Sequence, residues 1–339
     1  MMLEENISIN WPIIGHRKII KYLTKSIKSD SVAQSYLFYG PGNVGKNTVA
    51  HSFIKGLLCN DKTSRPCNNC LNCKKIENRN HPDISYLERS NESKNISIDE
   101  IRENVIHKHF LSSFSGSYKI SIISGAENLS IGAANSLLKT LEEPKTKSII
   151  ILIANNADNL PKTIKSRCQM IEFNLVAQDD IKDFIKKTEP EIDHARLTNI
   201  TYLSEGRPGL AWHYLHIPEF LKEREDCSNS LIKMLNSDIN NRFSEITIIT
   251  DGGSFQEGLN NTVKHIDNWL SVLRDVLLIK FNLKKHTINY FAHDKISNYS
   301  TAYSTKKIIS MINKLVIIKD KTRQNINPRL MLENFFIDI

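Results

Sequence analysis

Residues 35–47 read Ser35-Tyr36-Leu37-Phe38-Tyr39-Gly40-Pro41-Gly42-Asn43-Val44-Gly45-Lys46-Asn47. The first five residues have the aromatic and aliphatic content of a buried strand, and a glycine-rich stretch ends them abruptly. Behind it, Thr48 to Leu58 places Val49, Phe53, Ile54, Leu57 and Leu58 at helical spacing. Strand, glycine-rich loop and helix together are the setting of a phosphate-binding loop. Gly40, Gly45 and Lys46 fit its G-x-x-x-x-G-K pattern, and Gly42 lies between them. Backbone N–H groups and the helix N-terminus would cradle phosphates there, with Lys46 reaching the terminal ones. The residue after the lysine should carry a hydroxyl for Mg²⁺, but it is Asn47. Thr48 follows, and on a helix it points about 100° away. Two readings stand: a degenerate nucleotide site made by Gly40, Gly42, Gly45, Lys46 and Asn47, or a loop that keeps its shape without nucleotide.

Outward from this loop, strand-type runs occur at 83–87, 119–123, 148–153 and 170–173. Helical periods lie between them at 98–109 and 129–141, the second stopped by Glu142-Glu143-Pro144. Alternating strands and helices, with continuous apolar strands, predict an α/β domain with a parallel sheet covered on both faces. It is expected to end near Leu175. From Asp179 onward helical periods dominate, broken by Gly206-Arg207-Pro208-Gly209 and by Gly252-Gly253. The expected division is 1–175, then a small helical segment at 176–225, then a helical domain at 226–339.

At 339 residues, the chain has room for two or three domains. Forty-five basic residues against 37 acidic ones give +8, a weak lean towards an anionic partner. No apolar run reaches the ~20 residues of a membrane helix. Met1 to Asn10, with Glu4 and Glu5, lacks the basic-then-apolar pattern of an export signal, so a cytoplasmic protein is expected. Four of the six cysteines cluster: Cys59, Cys67, Cys70 and Cys73 form C-x7-C-x2-C-x2-C. In a reducing compartment such a cluster reads as one structural Zn²⁺ site rather than two disulfides. Cys168 and Cys227 lie far off and read as packing residues. The eleven histidines form no ligand cluster, and His81 before Pro82 reads as a turn residue. Trp269, Val272, Leu273, Val276 and Leu277 form a helical stripe that reads as bundle core.

The order of motifs supports a resemblance. Ile14-Gly15-His16 is followed by Gln34 to Pro41, the loop, the cysteines and His81-Pro82-Asp83. Then come Ala134-Asn135-Ser136-Leu137-Leu138-Lys139-Thr140-Leu141-Glu142-Glu143-Pro144, Ser166-Arg167-Cys168 and, near the end, Asn327-Pro328-Arg329-Leu330-Met331-Leu332-Glu333. Across nearly its whole length the chain resembles the bacterial DNA polymerase III clamp loaders, which are AAA+ proteins. The resemblance implies an AAA+ P-loop domain with a zinc module at about 59–73, a small helical lid and an all-α oligomerising collar. It implies that Arg167 acts in trans as an arginine finger on ATP bound by a neighbouring subunit. A planar guanidinium suits that role because it spreads charge over phosphate oxygens. The implied partners are the gamma/tau and delta subunits, the sliding clamp indirectly, and primer–template DNA within the complex; no membrane is implied. The chain would help gate delta's access to the clamp. It would belong to a DNA-directed DNA polymerase holoenzyme, a nucleotidyltransferase, without turning over ATP itself. Because the implied collar oligomerises, the resemblance also gives the stripe around Trp269 a second reading as partly subunit interface. Lys139 likewise has two readings, an interface residue or a helical partner of Glu142.

Within the family a hydrolysing motor and a non-hydrolysing stator compete. A motor ends its third strand in Asp-Glu, the first residue holding Mg²⁺ and the second polarising water. Here Ser124 and Gly125 fall at those places, and Glu127 lies two positions beyond. Asn155 is an acceptable sensor residue. The lid arginine of a motor falls on Gly209, and Arg207 is no obvious substitute. Changes at Asn47, Ser124, Gly125 and Gly209 together favour the stator, and the chain length matches a subunit without tau's extra C-terminal domains. The alternative is a gamma/tau-type ATPase motor. A zinc-dependent DNA-binding protein is disfavoured, because the cysteine loop is short, has few basic residues and has no recognition helix nearby. The purified chain is expected to show no ATP hydrolysis above background in a phosphate-release assay. A turnover near ~1 s⁻¹ would restore the motor reading.

Overall fold

The computed structural model describes residues 8–9, 11–88, 95–110, 113–114, 118–143, 147–322 and 326–339. The amino-terminal reading, apart from Ser8 and Ile9, and Pro144 after the 129–141 helix lie outside them. The chain forms two compact units. One is Met1–Asp180 with Arg207–Gly209; the other is Ile181–Gly206 with Leu210–Ile339.

The first unit contains, in order, β1 (Ser8–Ile9), α1 (Arg17–Lys28), β2 (Ser35–Tyr39), α2 (Lys46–Leu58), β3 (Ser64–Arg65), α3 (Leu71–Glu77) and β4 (Ile84–Glu88). After these come α4 (Ile98–Ile101), a π-helical turn (Arg102–Ile106), α5 (His107–Phe110), β5 (Lys119–Ser124), α6 (Ile131–Glu142), β6 (Ser148–Ala154), α7 (Lys162–Lys165) and β7 (Gln169–Glu172). Five strands form a parallel sheet in the order β4-β5-β6-β2-β7. The strand period of two assigns side chains to two cores. Tyr36 and Phe38 join Val49, Phe53, Ile149, Ile151 and Ile153 on one face. Leu37 joins Leu137, Ile150 and Leu152 on the other. All seven residues of β6 are buried, which is why its sequence shows no alternation. β2 lies between β6 and β7, so the loop at its C-terminal end occupies a topological switch point, the usual ligand position in such sheets.

Helix starts differ from the sequence expectation for local reasons. Gly45, at φ +102°, lets α2 begin at Lys46, two residues earlier than expected. The Ser130 hydroxyl accepts from Ala133 N–H, so α6 begins at Ile131 rather than Leu129. The helical stretch expected at 98–109 opens with a Ser97–Glu100 capping box and contains the π-helical turn. Ile101, Val105 and His109 along it are all buried.

In the second unit the chain continues as helices. α8 (Gln178–Thr188) leads into it, followed by α9 (His194–Leu203), α10 (Pro208–His216), α11 (Pro218–Leu235), α12 (Ile239–Thr250), α13 (Phe255–Lys280), α14 (His293–Ala302), α15 (Thr305–Thr322) and α16 (Pro328–Ile337). The 26 residues of α13 form its spine. Trp269, Val272, Leu273 and Val276 are buried and Leu277 is half-buried against them, so the stripe is bundle core. The Trp269 indole N–H donates to Cys227 O and Ser230 Oγ, which satisfies the one polar atom that this burial would strand.

Between β4 and β5, the His109 Nε2 lies 2.7 Å from Ser121 Oγ, which lies 2.6 Å from Ser85 Oγ. Burial pushes the His109 imidazole down to about 4, with Lys119 acting in the same direction. Between its ordinary value of 6.5 and about 4, the unfolded chain takes up a proton that the folded chain refuses. Stability should therefore be lost as pH falls through that range, by about 2 kcal/mol from this group at about pH 5. Urea unfolding of the wild type and of His109→Gln at about pH 7.5 and 5 checks this, with the variant expected to show the smaller pH dependence.

Candidate functional site

The loop after β2 is held against β7 by its own backbone. Phe173 N–H donates to Tyr39 O at 2.7 Å, and Gly40, at φ +138°, passes so close that a Cβ would lie 2.0 Å from Phe173 O. Only glycine fits there. On the other flank His16 Nε2 donates to Val44 O at 2.8 Å, and its ring packs edge-on against Phe173. These contacts give the Ile14-Gly15-His16 segment a local role, bracing the loop.

A cavity of about 430 Å³ opens at this loop, lined among others by Gly42, Lys46, Asn47, Ser124, Asn155 and Gly209. Lys46 is 6% exposed. Its Nζ donates to Gly40 O and Pro41 O, both at 2.6 Å, and to Asn155 Oδ1 at 3.1 Å. Burial holds its pKa down to about 8, against the opposing pull of the Glu127 carboxylate. Glu127 accepts from Asn155 N–H at 3.1 Å and does not line the cavity; its second oxygen is buried and makes no hydrogen bond among the described residues. Ser124 Oγ donates to Asn47 Oδ1 at 3.2 Å, so two of the altered positions engage each other. Gly125 lines the same wall. Gly209 N–H donates to Asn43 O at 2.8 Å, and a Cβ at Gly209 would meet that oxygen at 2.9 Å. Backbone thus occupies the place where a motor's lid arginine is expected, and Arg207 does not line the cavity.

The four clustered cysteines converge. Each Sγ lies within 4.8 Å of the others, and Cys67 and Cys73 are 4.0 Å apart. A tetrahedral ion with ~2.3 Å bonds to sulfur sets sulfur–sulfur distances near ~3.8 Å, so the set fits Zn²⁺. Backbone N–H groups of Cys67, Cys70 and Cys73 point at the sulfurs of Cys59, Cys67 and Cys70 respectively, at 3.3–3.4 Å. Such donors favour thiolates: the N–H of Cys70 is the main reason that Cys67 is drawn down to about 6. Burial pushes Cys59 and Cys73 the other way. Cys168 and Cys227 are both raised by burial and stand apart from this group.

Arg167 follows the short helix α7. Its Nε donates to Glu142 Oε1 at 2.7 Å, the two side chains form an ion pair, and Nη1 donates to Thr163 O at 2.9 Å. A third of its side chain remains exposed. Glu142 therefore pairs with Arg167, and the Lys139–Glu142 pair expected from helical spacing is absent among the described residues. Reading by sequence missed the Arg167–Glu142, Ser124–Asn47 and His16–Val44 contacts. Each joins residues at least 25 positions apart, beyond the reach of local spacing.

Comparison with known proteins fits this geometry. Residues 15–177 match the family described as "DNA polymerase III, delta subunit", and residues 218–339 match "DNA polymerase III, delta subunit, C terminal". A DNA polymerase III subunit delta' from Bacillus subtilis is 27% identical over 324 residues, covering 94% of both chains. Subunit tau of the same organism is 35% identical over 170 residues, but these are 50% of this chain and 30% of that one. A Thermotoga maritima gamma subunit-related protein shares the fold, with a TM-score of 0.51 at 17% identity, covering 94% of this chain and 97% of its own. With its two halves matched in order, and with a delta' relative aligned over nearly all of both lengths, the chain belongs to the DNA polymerase III delta-prime family of clamp-loader proteins, related to gamma/tau.

Proposed function

We propose that the chain is the stator of the DNA polymerase III clamp loader in the cytoplasm, helping to load the sliding clamp onto primed DNA without hydrolysing ATP itself. One observation carries this reading: Ser124 is hydrogen-bonded to Asn47 where a motor subunit needs a carboxylate and a hydroxyl around Mg²⁺. Gly125 can neither orient nor polarise water. In this reading residues 1–175 form the AAA+ domain, 176–225 the lid and 226–339 the collar that assembles with gamma/tau and delta. Primer–template DNA and the clamp are reached within the complex.

Arg167 is the proposed group in trans. Glu142 and the Thr163 carbonyl hold its guanidinium at the exposed end of α7, and a neighbour's γ-phosphate would replace the carboxylate as its partner. A finger of this kind is worth ~10³–10⁵ in rate at its own site. Arg167→Ala should therefore lower the ATPase of the reconstituted complex by a measurable share, about that of one site among several, while the chain stays folded. Lys46→Ala should matter much less. If Lys46→Ala removes the activity and Arg167→Ala does not, the chain is a motor.

Cys59, Cys67, Cys70 and Cys73 are the proposed ligands of one structural Zn²⁺. With four thiolates the shell is complete, leaving no open position for catalysis. Metal analysis of protein purified without chelator should find about one zinc per chain. Cys67→Ser should reduce that content and lower the thermal midpoint, leaving the fold of the sheet intact by circular dichroism.

A further inference from the structure

The fold family implies Mg²⁺ beside the P-loop, and the residues of this cavity do not fit it. Mg²⁺ demands near-octahedral oxygen ligands at ~2.0–2.1 Å and is usually held by one or two carboxylates together with phosphates. No carboxylate lines the cavity among the described residues. The single side-chain oxygen of Asn47 already accepts from Ser124. That orientation leaves the Asn47 amide nitrogen, a donor only. Asn155 Oδ1, Gly40 O and Pro41 O are engaged by Lys46. Apart from the Thr48 and Ser124 hydroxyls and the Asn43 amide oxygen, all of them neutral, the side-chain groups still free to meet a ligand are donors, and the ammonium of Lys46 adds a positive charge. Glu127, set behind Asn155, helps to keep that ammonium protonated without presenting an oxygen to the cavity.

We propose that this P-loop is a metal-independent polyphosphate site. It takes the phosphate chain of a nucleoside diphosphate or triphosphate on the loop N–H groups, Lys46 and the Asn47 amide, and Mg²⁺ adds nothing to the binding. Lys46 would turn from the carbonyls of Gly40 and Pro41 to the incoming anion, exchanging two neutral acceptors for a charged one. A metal ion on the ligand would instead cancel part of the charge that Lys46 recognises and would find no anionic protein oxygen in return. This deepens the non-hydrolytic reading of the loop and rests on it, but it is independent of Arg167.

The test is calorimetric titration of the full chain with ADP and, separately, with inorganic pyrophosphate, each in EDTA and in excess Mg²⁺. Both probes should bind in EDTA, with affinity equal to or higher than in Mg²⁺. Lys46→Ala should weaken both by about tenfold or more. Ser124→Asp, and independently Asn47→Asp, should each create a binding mode that tightens at least about tenfold with Mg²⁺. The pair of substitutions keeps the test valid if one variant does not fold. Binding seen only with Mg²⁺, no binding of either probe, unchanged affinity in Lys46→Ala, or binding of ADP without pyrophosphate would each overturn the proposal. None of those outcomes touches the stator reading, which falls only if the isolated chain hydrolyses ATP or if Arg167 proves dispensable in the complex.

Discussion

Burial of β2 on both faces and both edges is the constraint on which the first unit depends. Its backbone is hydrogen-bonded to β6 on one side and β7 on the other, so every residue from Ser35 to Tyr39 is fixed in register. Its side chains alternate between two cores that together include most of the buried residues of the sheet. A strand held this way can end in only one place. The chain leaving it must turn beside Phe173, and only a residue without a Cβ can do so. The shape of the phosphate-type loop is therefore a consequence of sheet packing, whether or not a ligand fills it.

That distinction is visible in how the loop is held together. Lys46 is buried, and its ammonium ties the loop carbonyls to the end of β6 through Asn155. A buried lysine left without those acceptors would carry a large desolvation cost, so the three contacts stabilise the loop irrespective of chemistry. Ser124 and Asn47 satisfy each other in the space that a metal ion would bridge. Gly209 allows backbone to lie directly on Asn43.

Charge outside the cavity is arranged differently. The Arg167 guanidinium pairs with the Glu142 carboxylate and donates to the Thr163 carbonyl and the Ser166 hydroxyl, and a third of the side chain faces solvent. A half-exposed ion pair contributes little to stability, so Glu142 is a weak anchor for the arginine. In the cysteine cluster the opposite holds. Burial of Cys59 and Cys73 disfavours thiolates, while backbone N–H groups draw Cys67 towards the ionised form. A divalent cation, if bound by the four sulfurs, would resolve that conflict.

By itself the sequence determined the α/β class, the place of the glycine loop and the cysteine spacing, because each is carried by local periodicity or by a short motif. The bounds it implied for helices were off by one or two residues where a cap intervened, as at Gly45 and Ser130. It left open whether the stripe around Trp269 is core or interface, since a helical period says that a face is buried and not against what. Tertiary structure decided that, as it decided the partners of Arg167, Asn47 and His16. Those contacts join segments that sequence spacing cannot bring together, and they depend on strand order and on close backbone approach. What a polar side chain can do chemically follows from which of its atoms are already engaged, and in this protein that is set only once β2, β5 and β6 lie side by side.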